Sequence, residues 1–179
     1  MDRVGWCRIM IELLLMGGKM GASIKSMQRG NATVNAGTLN IPLSTPVNAS
    51  KSVVLLNRAV VNNGTDSLAG ISGLTSSALS LSISAGANTV DWTVVELAGV
   101  KAVHKGTVTM TTNISSPVNV AGIDMSKSFV LLNYGADTVV TGTSDIQVLA
   151  TYFDYSDNTI KRKWNGGTLV VYYQIIEFI

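Results

Sequence analysis

Three blocks of residues occur twice in this chain, in the same order both times. The first two pairs of blocks are separated by 76 positions and the third by 81, so the second copy contains five additional residues between Asn133 and Tyr172. Ordered blocks with nearly constant spacing predict the tandem duplication of one small domain. The matched blocks are Ile24–Gly30 and Val100–Gly106, Ser50–Asn57 and Ser126–Asn133, and Asp91–Leu97 and Tyr172–Phe178.

The duplication predicts two domains, residues 24–97 and residues 100–179, in a chain of 179 residues. Domains of about 75–80 residues bury a smaller fraction of their surface than large domains do, so each is marginally stable alone. We therefore expect the two copies to pack on each other or to oligomerise.

Residues 1–23 form a leader that has no counterpart in the second copy. The first interpretation is that translation starts at Met20, because Gly17–Met20 can be encoded by a ribosome-binding sequence followed by ATG. An N-terminal docking segment and a cleaved signal peptide are the alternatives, although Glu12 interrupts the apolar run and Asp2 weakens a basic start. The run is too short to cross a bilayer, so no membrane insertion is expected.

Charged residues are few, 13% of the chain against 46% hydrophobic residues, and the net charge is +2. The surface is therefore expected to consist of Ser, Thr and Asn, which is common in extracellular or particle-bound β-proteins. No basic run longer than Lys161–Lys163 is present, which argues against a nucleic-acid partner. Cys7 is the only cysteine, which excludes an internal disulfide and a thiolate zinc site.

Alternation of apolar and polar residues predicts β-strands over much of the chain. Leu79–Ser84 and Thr107–Thr112 alternate with a period of two, whereas Thr33–Ile41 is expected to form a strand, a turn at Gly37 and a second strand. No segment after Met20 has the pattern of a three-turn helix. The predicted fold class is all-β, with two tandem antiparallel β-sandwich domains.

Three segments are apolar on both faces, namely residues 52–56, 128–132 and 168–179. A strand in a two-layer sandwich buries only one face against the core, so these segments need a second partner. That partner is the other copy, a neighbouring subunit or both; isolated exposed apolar residues are the weaker alternative. We expect a homo-oligomer that assembles through the C-terminal strands.

The ionisable residues suggest no catalytic constellation. His104 is the only histidine and corresponds to a glutamine in the first copy, so its position does not require an imidazole. A general base also needs an oriented nucleophile and a partner carboxylate, and the sequence nominates neither. Glu96 and Glu177 are equivalent and are expected to bond to the backbone or to Lys25 and Lys101. We predict a protein that is not an enzyme, with no catalytic residues, cofactor or metal.

The segment Tyr152–Gly167 mixes aromatic and charged residues and contains the expected site of the five-residue expansion. Its rings could stack on a sugar or a base while its charged groups fix polar atoms; the alternative is a long hairpin with solvated charges. The oxygens of Asp154–Asn158 suit calcium, but they lack EF-hand spacing and are typical of a turn. The candidate ligand or partner contacts are Tyr155, Asp157, Lys161, Arg162 and Trp164.

The blocks IKSMQRG, SKSFVLLN and YQIIEF resemble a module that is common in structural proteins of bacteriophages and prophages, often encoded among tail or fibre genes. That module is similar to the H-type lectin fold, a six-stranded antiparallel sandwich that trimerises and binds N-acetylgalactosamine-like sugars. The resemblance covers residues 24–97 and 100–178. It implies a homotrimer with its six modules in a pseudo-six-fold ring. The sugar-contacting positions of the lectins have no residue-by-residue match here.

The function that this resemblance implies is that of a non-enzymatic virion protein at the tail, fibre or baseplate. Such a protein would assemble in the bacterial cytoplasm, contact other virion proteins and contribute to host-surface attachment. The alternatives are a capsid decoration protein that cements the shell and a carbohydrate-binding module for host surface glycans. Positions shared by both copies are expected to serve folding, whereas positions that differ are expected to serve specificity.

Overall fold

The computed structural model describes residues 22–58, 69–110, 115–136, 151–162 and 169–179. These residues form antiparallel β-sheets with two short 3-10 turns, η1 (Ala49–Lys51) and η2 (Met125–Lys127), and no α-helix, which confirms the all-β prediction. The strands are β1 (Ser23–Pro42), β2 (Ser52–Arg58), β3 (Gly70–Leu74), β4 (Ala78–Ala98), β5 (Val100–Met110), β6 (Ser115–Pro117), β7 (Ser128–Ala136), β8 (Thr151–Asp154), β9 (Thr159–Arg162) and β10 (Leu169–Phe178).

The first repeat is organised around two long strands, β1 and β4, which pair from Ser23 opposite Ala98 to Pro42 opposite Ala78. The prediction of a turn at Gly37 was wrong, because β1 continues through this residue. The register shifts between Asn35 and Gly37, and Gly37 has a φ of 111°. Glycine tolerates this conformation, so a β-bulge absorbs the irregularity without ending the strand.

The same strand order recurs in the second repeat. The order β1-β4-β2 in the first repeat corresponds to β5-β10-β7 in the second. The register agrees as well: Glu96 lies opposite Ser26 and Ser52, and Glu177 lies opposite the equivalent Ala102 and Ser128. The sequence repeat is therefore also a repeat of hydrogen-bonded pairing, while the division into two sandwich domains remains a prediction.

Both repeats place an aromatic ring over a glycine on the neighbouring strand. Gly30 lies opposite Trp92 on β4, and the equivalent Gly106 lies opposite Tyr173 on β10. A Cβ atom at Gly30 would lie 2.6 Å from a Trp92 ring carbon, and one at Gly106 would overlap the phenol ring of Tyr173. The two glycines are thus required for close cross-strand packing.

Among the described residues, buried side chains form three clusters, one within each repeat and one between them. The shared cluster, defined here by its buried members, draws on both repeats, and its members are Val53, Val95, Leu97, Val100, Val103, Leu131, Ile176 and Phe178. The first core includes Val54, Leu79, Leu81, Val90 and Trp92, and the second includes Met110, Ile160, Val171, Tyr173 and Ile175. Burial of each such side chain contributes about 1.5–3 kcal/mol to folding.

The C-terminal strand β10 is buried on both faces, as its apolar sequence predicts. Val171, Tyr173 and Ile175 pack in the second core, whereas Ile176 and Phe178 pack in the shared cluster. The second face of β10 therefore packs against the first repeat of the same chain, which was one of the partners expected for this strand.

Candidate functional site

The two equivalent glutamates are buried, and each forms an ion pair with a lysine whose side chain is more than half exposed. Lys25 Nζ lies 2.7 Å from Glu96 Oε1, and Lys101 Nζ lies 2.8 Å from Glu177 Oε1. The glutamate side chains are only 5% and 1% exposed. Each lysine is the additional residue of a β-bulge in its strand, which turns its side chain towards the glutamate. The prediction that these carboxylates pair with the two lysines is confirmed.

Backbone groups complete these carboxylate sites. The N–H of Asp124, which caps η2, donates to Glu177 Oε1 at 3.1 Å. The backbone N–H of the equivalent Asn48 donates a hydrogen bond to Glu96. The hydrogen bond from Lys101 is the main reason that the pKa of Glu177 is lowered to about 2. The hydrogen bond from Lys25 is likewise the main cause of the lowered pKa of Glu96. Both glutamates therefore fasten a 3-10 turn to the central strand of their sheet.

His104 belongs to the second of these sites. Its Nε2 atom lies 3.1 Å from Glu177 Oε2, and its side chain is 37% exposed. In the first repeat the corresponding carboxylate oxygen accepts a hydrogen bond from Ser26 Oγ at 3.3 Å, whereas the second repeat has Ala102 at that position. The His104 imidazole thus binds the glutamate oxygen that a serine hydroxyl binds in the first repeat. His104 lies within β5 and is partly exposed. The sequence did not predict its contact with Glu177.

The described part of the predicted ligand-contact segment, residues 152–162, forms a hairpin, with β8 and β9 joined by a turn at residues 155–158. Lys161 Nζ lies 2.6 Å from Asp154 Oδ2 and 2.7 Å from Asp157 Oδ2. Asp154 Oδ1 also accepts hydrogen bonds from the backbone and hydroxyl of Ser156, and Asp157 Oδ1 accepts them from Thr159. The carboxylate oxygens are engaged within the hairpin, and the predicted turn is confirmed.

These contacts also set the charge state of the turn. The hydrogen bonds from Lys161 are the main cause of the lowered pKa values of Asp154 and Asp157. The pKa of Lys161 is raised in return, chiefly by its hydrogen bond to Asp154. All three groups therefore remain charged at neutral pH and hold the turn together.

Tyr155 connects this hairpin to strand β7. Its phenol oxygen accepts a hydrogen bond from the Val130 N–H at 3.0 Å, and its ring packs edge-on against Phe153 with centroids 4.9 Å apart. Nearly half of the residue, 49%, is nevertheless exposed. Tyr155 thus has a structural contact at its polar end and an accessible ring.

The structure brings together three of the five predicted contact residues. Tyr155 and Asp157 lie in the turn, and Lys161 on β9 contacts Asp157. Arg162, in contrast, is only 3% exposed, and burial lowers the pKa of its guanidinium. Trp164 lies outside the described residues. Ligand or partner contact by this hairpin remains a prediction.

Contacts between the repeats were missed by sequence reasoning. The side chain of Gln174 bonds to the backbone of Val54, Lys105 Nζ donates to the carbonyl of Ala49 at 2.6 Å, and the Tyr172 ring packs over Gly70. One feature of the sequence could have indicated these contacts: each of the three second-repeat residues that form them differs from the equivalent residue of the first repeat. The corresponding first-repeat residues are Thr93, Arg29 and Asp91.

Comparisons of this chain with protein-family models, with curated protein sequences and with solved structures found no match. Within the described ranges, no three or more histidine, cysteine, aspartate or glutamate residues are grouped so that they could hold a metal ion. Among the same residues, no helix is long and apolar enough to span a membrane.

Proposed function

We propose that this chain is a non-enzymatic structural protein of a bacteriophage particle, located at the tail, fibre or baseplate. In this proposal the two repeats are H-type-lectin-like sandwiches. The observation that carries it is the contact between the repeats, in which buried residues of both form the shared cluster and Gln174 bonds to Val54. Packing of one module on a copy of itself is the type of contact from which symmetric particles are built.

The polar groups common to both repeats support a structural role. Glu96 and Glu177 each bind a bulge lysine and fasten a 3-10 turn, and the turn-capping residues Asn48 and Asp124 both accept the N–H two residues ahead. These conspicuous charges and amides stabilise the fold. Because these groups are used within the fold, we expect a partner to recognise the faces of the sheets instead.

The proposed partners are two further copies of the chain and other virion proteins. A trimer would place six repeats around one axis in a pseudo-six-fold ring, which fits the rotational symmetry of a tail or of a three-fold or six-fold capsid axis. The chain would be made in the bacterial cytoplasm and reach its final place during particle assembly.

The test is to locate the protein in purified particles. Peptide mass spectrometry of particles that encode this chain is expected to detect it, and antibody labelling in electron microscopy is expected to mark the tail. Labelling of the shell would instead support the capsid decoration protein. Expression in infected cells together with absence from purified particles would overturn a virion role.

Carbohydrate binding is the second candidate, and the hairpin favours it. Tyr152 and Tyr155 are 47% and 49% exposed, beside the Asp157–Lys161 ion pair. Exposed aromatic rings next to fixed polar groups are typical of sugar contacts. Binding to a bacterial surface polysaccharide array that is lost in a Tyr152→Ala, Tyr155→Ala double variant would support this function. No binding by the wild-type chain to any such polysaccharide would exclude it.

A further inference from the structure

Two pairs of equivalent positions differ sharply in exposure between the repeats. Val53 of the first repeat is 3% exposed in the shared cluster, whereas the equivalent Phe129 of the second repeat is 38% exposed. The reverse holds for Val103 of the second repeat, which is 5% exposed, and the equivalent Met27, which is 37% exposed. Each repeat thus has one covered and one open apolar position on the same sheet face.

The strand register explains this pattern. Val95 on β4 lies between Met27 on β1 and Val53 on β2, and Ile176 on β10 lies between Val103 and Phe129. Both central residues are buried in the shared cluster. At this register position the first repeat therefore contributes the β2 side of its face and the second repeat contributes the β5 side, while Leu131 on β7 joins the shared cluster two residues beyond Phe129. A contact between non-equivalent halves is heterologous, and it leaves one half open at each end.

A polar contact follows the same offset. Lys105 on β5 donates to the carbonyl of Ala49 in η1, which belongs to the other repeat. The residue equivalent to Lys105 is Arg29, which is also cationic and exposed, and the residue equivalent to Ala49 is Met125 in η2. Among the described residues, the Arg29 guanidinium contacts the Met27 sulfur at 3.4 Å. The open half of the first repeat therefore carries an apolar and a cationic residue that match the covered half of the second.

We infer that a second copy of this chain docks head to tail, with its Met27 and Arg29 half against the Phe129 and η2 half of the first. The contact repeats the one already formed between the repeats, with Phe129 in the role of Val53 and Arg29 in the role of Lys105. Because every chain has one open half of each kind, the contact continues around a ring wherever the rotation closes. The inference rests on the proposed function, in which identical chains assemble, and it specifies the surface through which they do so.

One difference predicts that the contact between chains is the weaker of the two. The residue equivalent to Gln174 is Thr93, whose side chain is too short to bond to both backbone groups of a neighbouring strand. At the position equivalent to Val54, the Val130 N–H already donates to Tyr155 of its own repeat. The contact between chains thus lacks the amide clamp, and chains should separate before the two repeats do.

The experiment uses the two open positions separately and together. Phe129→Asp and Met27→Asp each place a carboxylate in the apolar contact, and the full-length variants are measured by light scattering after size-exclusion chromatography. Each variant alone is expected to be monomeric at concentrations where the wild type is assembled. An equimolar mixture should form a two-chain species, because one intact contact remains between an unaltered Met27 half and an unaltered Phe129 half.

The control is Tyr152→Asp, which changes another exposed aromatic residue, on β8. It is expected to keep the wild-type mass, and unchanged circular dichroism and urea midpoints show that all variants fold. The head-to-tail contact is overturned if either variant alone keeps the wild-type mass, or if the mixture remains monomeric. In that event an assembled wild type leaves the proposed structural function standing, whereas a monomeric wild type removes the proposed assembly as well.

Discussion

The side-chain amide of Gln174 forms two hydrogen bonds with the backbone of Val54. Its oxygen accepts the Val54 N–H at 2.8 Å, and its nitrogen donates to the Val54 carbonyl at 2.7 Å. Gln174 is 2% exposed and Val54 is fully buried. Among the described strands of its sheet, Val54 lies on an outer one, and Gln174 supplies a partner for both of its backbone groups. One residue of the second repeat thus satisfies both backbone groups of one residue on an outer strand of the first.

Replacement of Gln174 should destabilise the whole chain. Gln174→Leu keeps the volume but leaves a buried N–H and a buried carbonyl unpaired, which should lower the free energy of unfolding by about 2–4 kcal/mol. Urea denaturation measures this change. The matched control is Thr93→Val at the equivalent position, for which a change within about 0.5 kcal/mol is expected. Equal losses in the two variants would show that the clamp does not join the repeats.

Acid should unfold the chain through its two buried glutamates. The pKa of Glu177 is lowered to about 2 from an ordinary 4.5, and the pKa of Glu96 is also lowered. The unfolded chain therefore binds protons at a higher pH than the folded chain does. Their contribution to stability is complete above pH 4.5 and is lost as the pH falls towards 2.

Urea midpoints between pH 6 and pH 2 test this contribution. A Glu96→Gln, Glu177→Gln double variant should be less stable at pH 6 but should lose less stability on acidification than the wild type does. The same pH dependence in both proteins would assign acid unfolding to other carboxylates. Asp154 and Asp157, which also have lowered pKa values, are the next groups to replace.

Alanine should be poorly tolerated at Gly30. Its Cβ would lie 2.6 Å from the Trp92 ring, so either the ring or the strand must move, at a cost of about 1–3 kcal/mol. Gly73 provides the control, because a Cβ there would meet Ser80 at an ordinary 3.7 Å. Gly73→Ala should leave the thermal unfolding midpoint nearly unchanged. Similar midpoints for the two variants would mean that Trp92 does not require a bare backbone beneath it.

The phenol oxygen of Tyr155 should matter for stability. Tyr155→Phe removes the acceptor of the Val130 N–H and should lower the free energy of unfolding by about 1 kcal/mol. Tyr152→Phe is the control on the same hairpin, where no comparable loss is expected. Equal stability of the two variants would indicate that water replaces the phenol at Val130.

The repeat made much of the architecture predictable. Matched blocks identified Glu96 and Glu177 as equivalent, and the structure shows each bonded to its expected lysine, Lys25 or Lys101. The strand boundary at Gly37 was wrong, because a glycine with positive φ serves a bulge as readily as a turn. Sequence alone does not separate these uses.

The contacts between repeats were less predictable. Gln174 and Lys105 act on backbone atoms of Val54 and Ala49, and a backbone acceptor has no signature in the side-chain sequence. In the hairpin, sequence grouped Arg162 with exposed charges because it is polar. The structure instead buries this side chain, since β9 alternates its faces and residue 162 falls on the inner one with Ile160.

In the proposed function, the chain assembles with copies of itself. Light scattering of the full-length wild-type protein at micromolar concentration measures this directly against a chain mass of 18.9 kDa. We predict the mass of a trimer, which separates into folded single chains on dilution. A stable monomer across the micromolar range would contradict self-assembly.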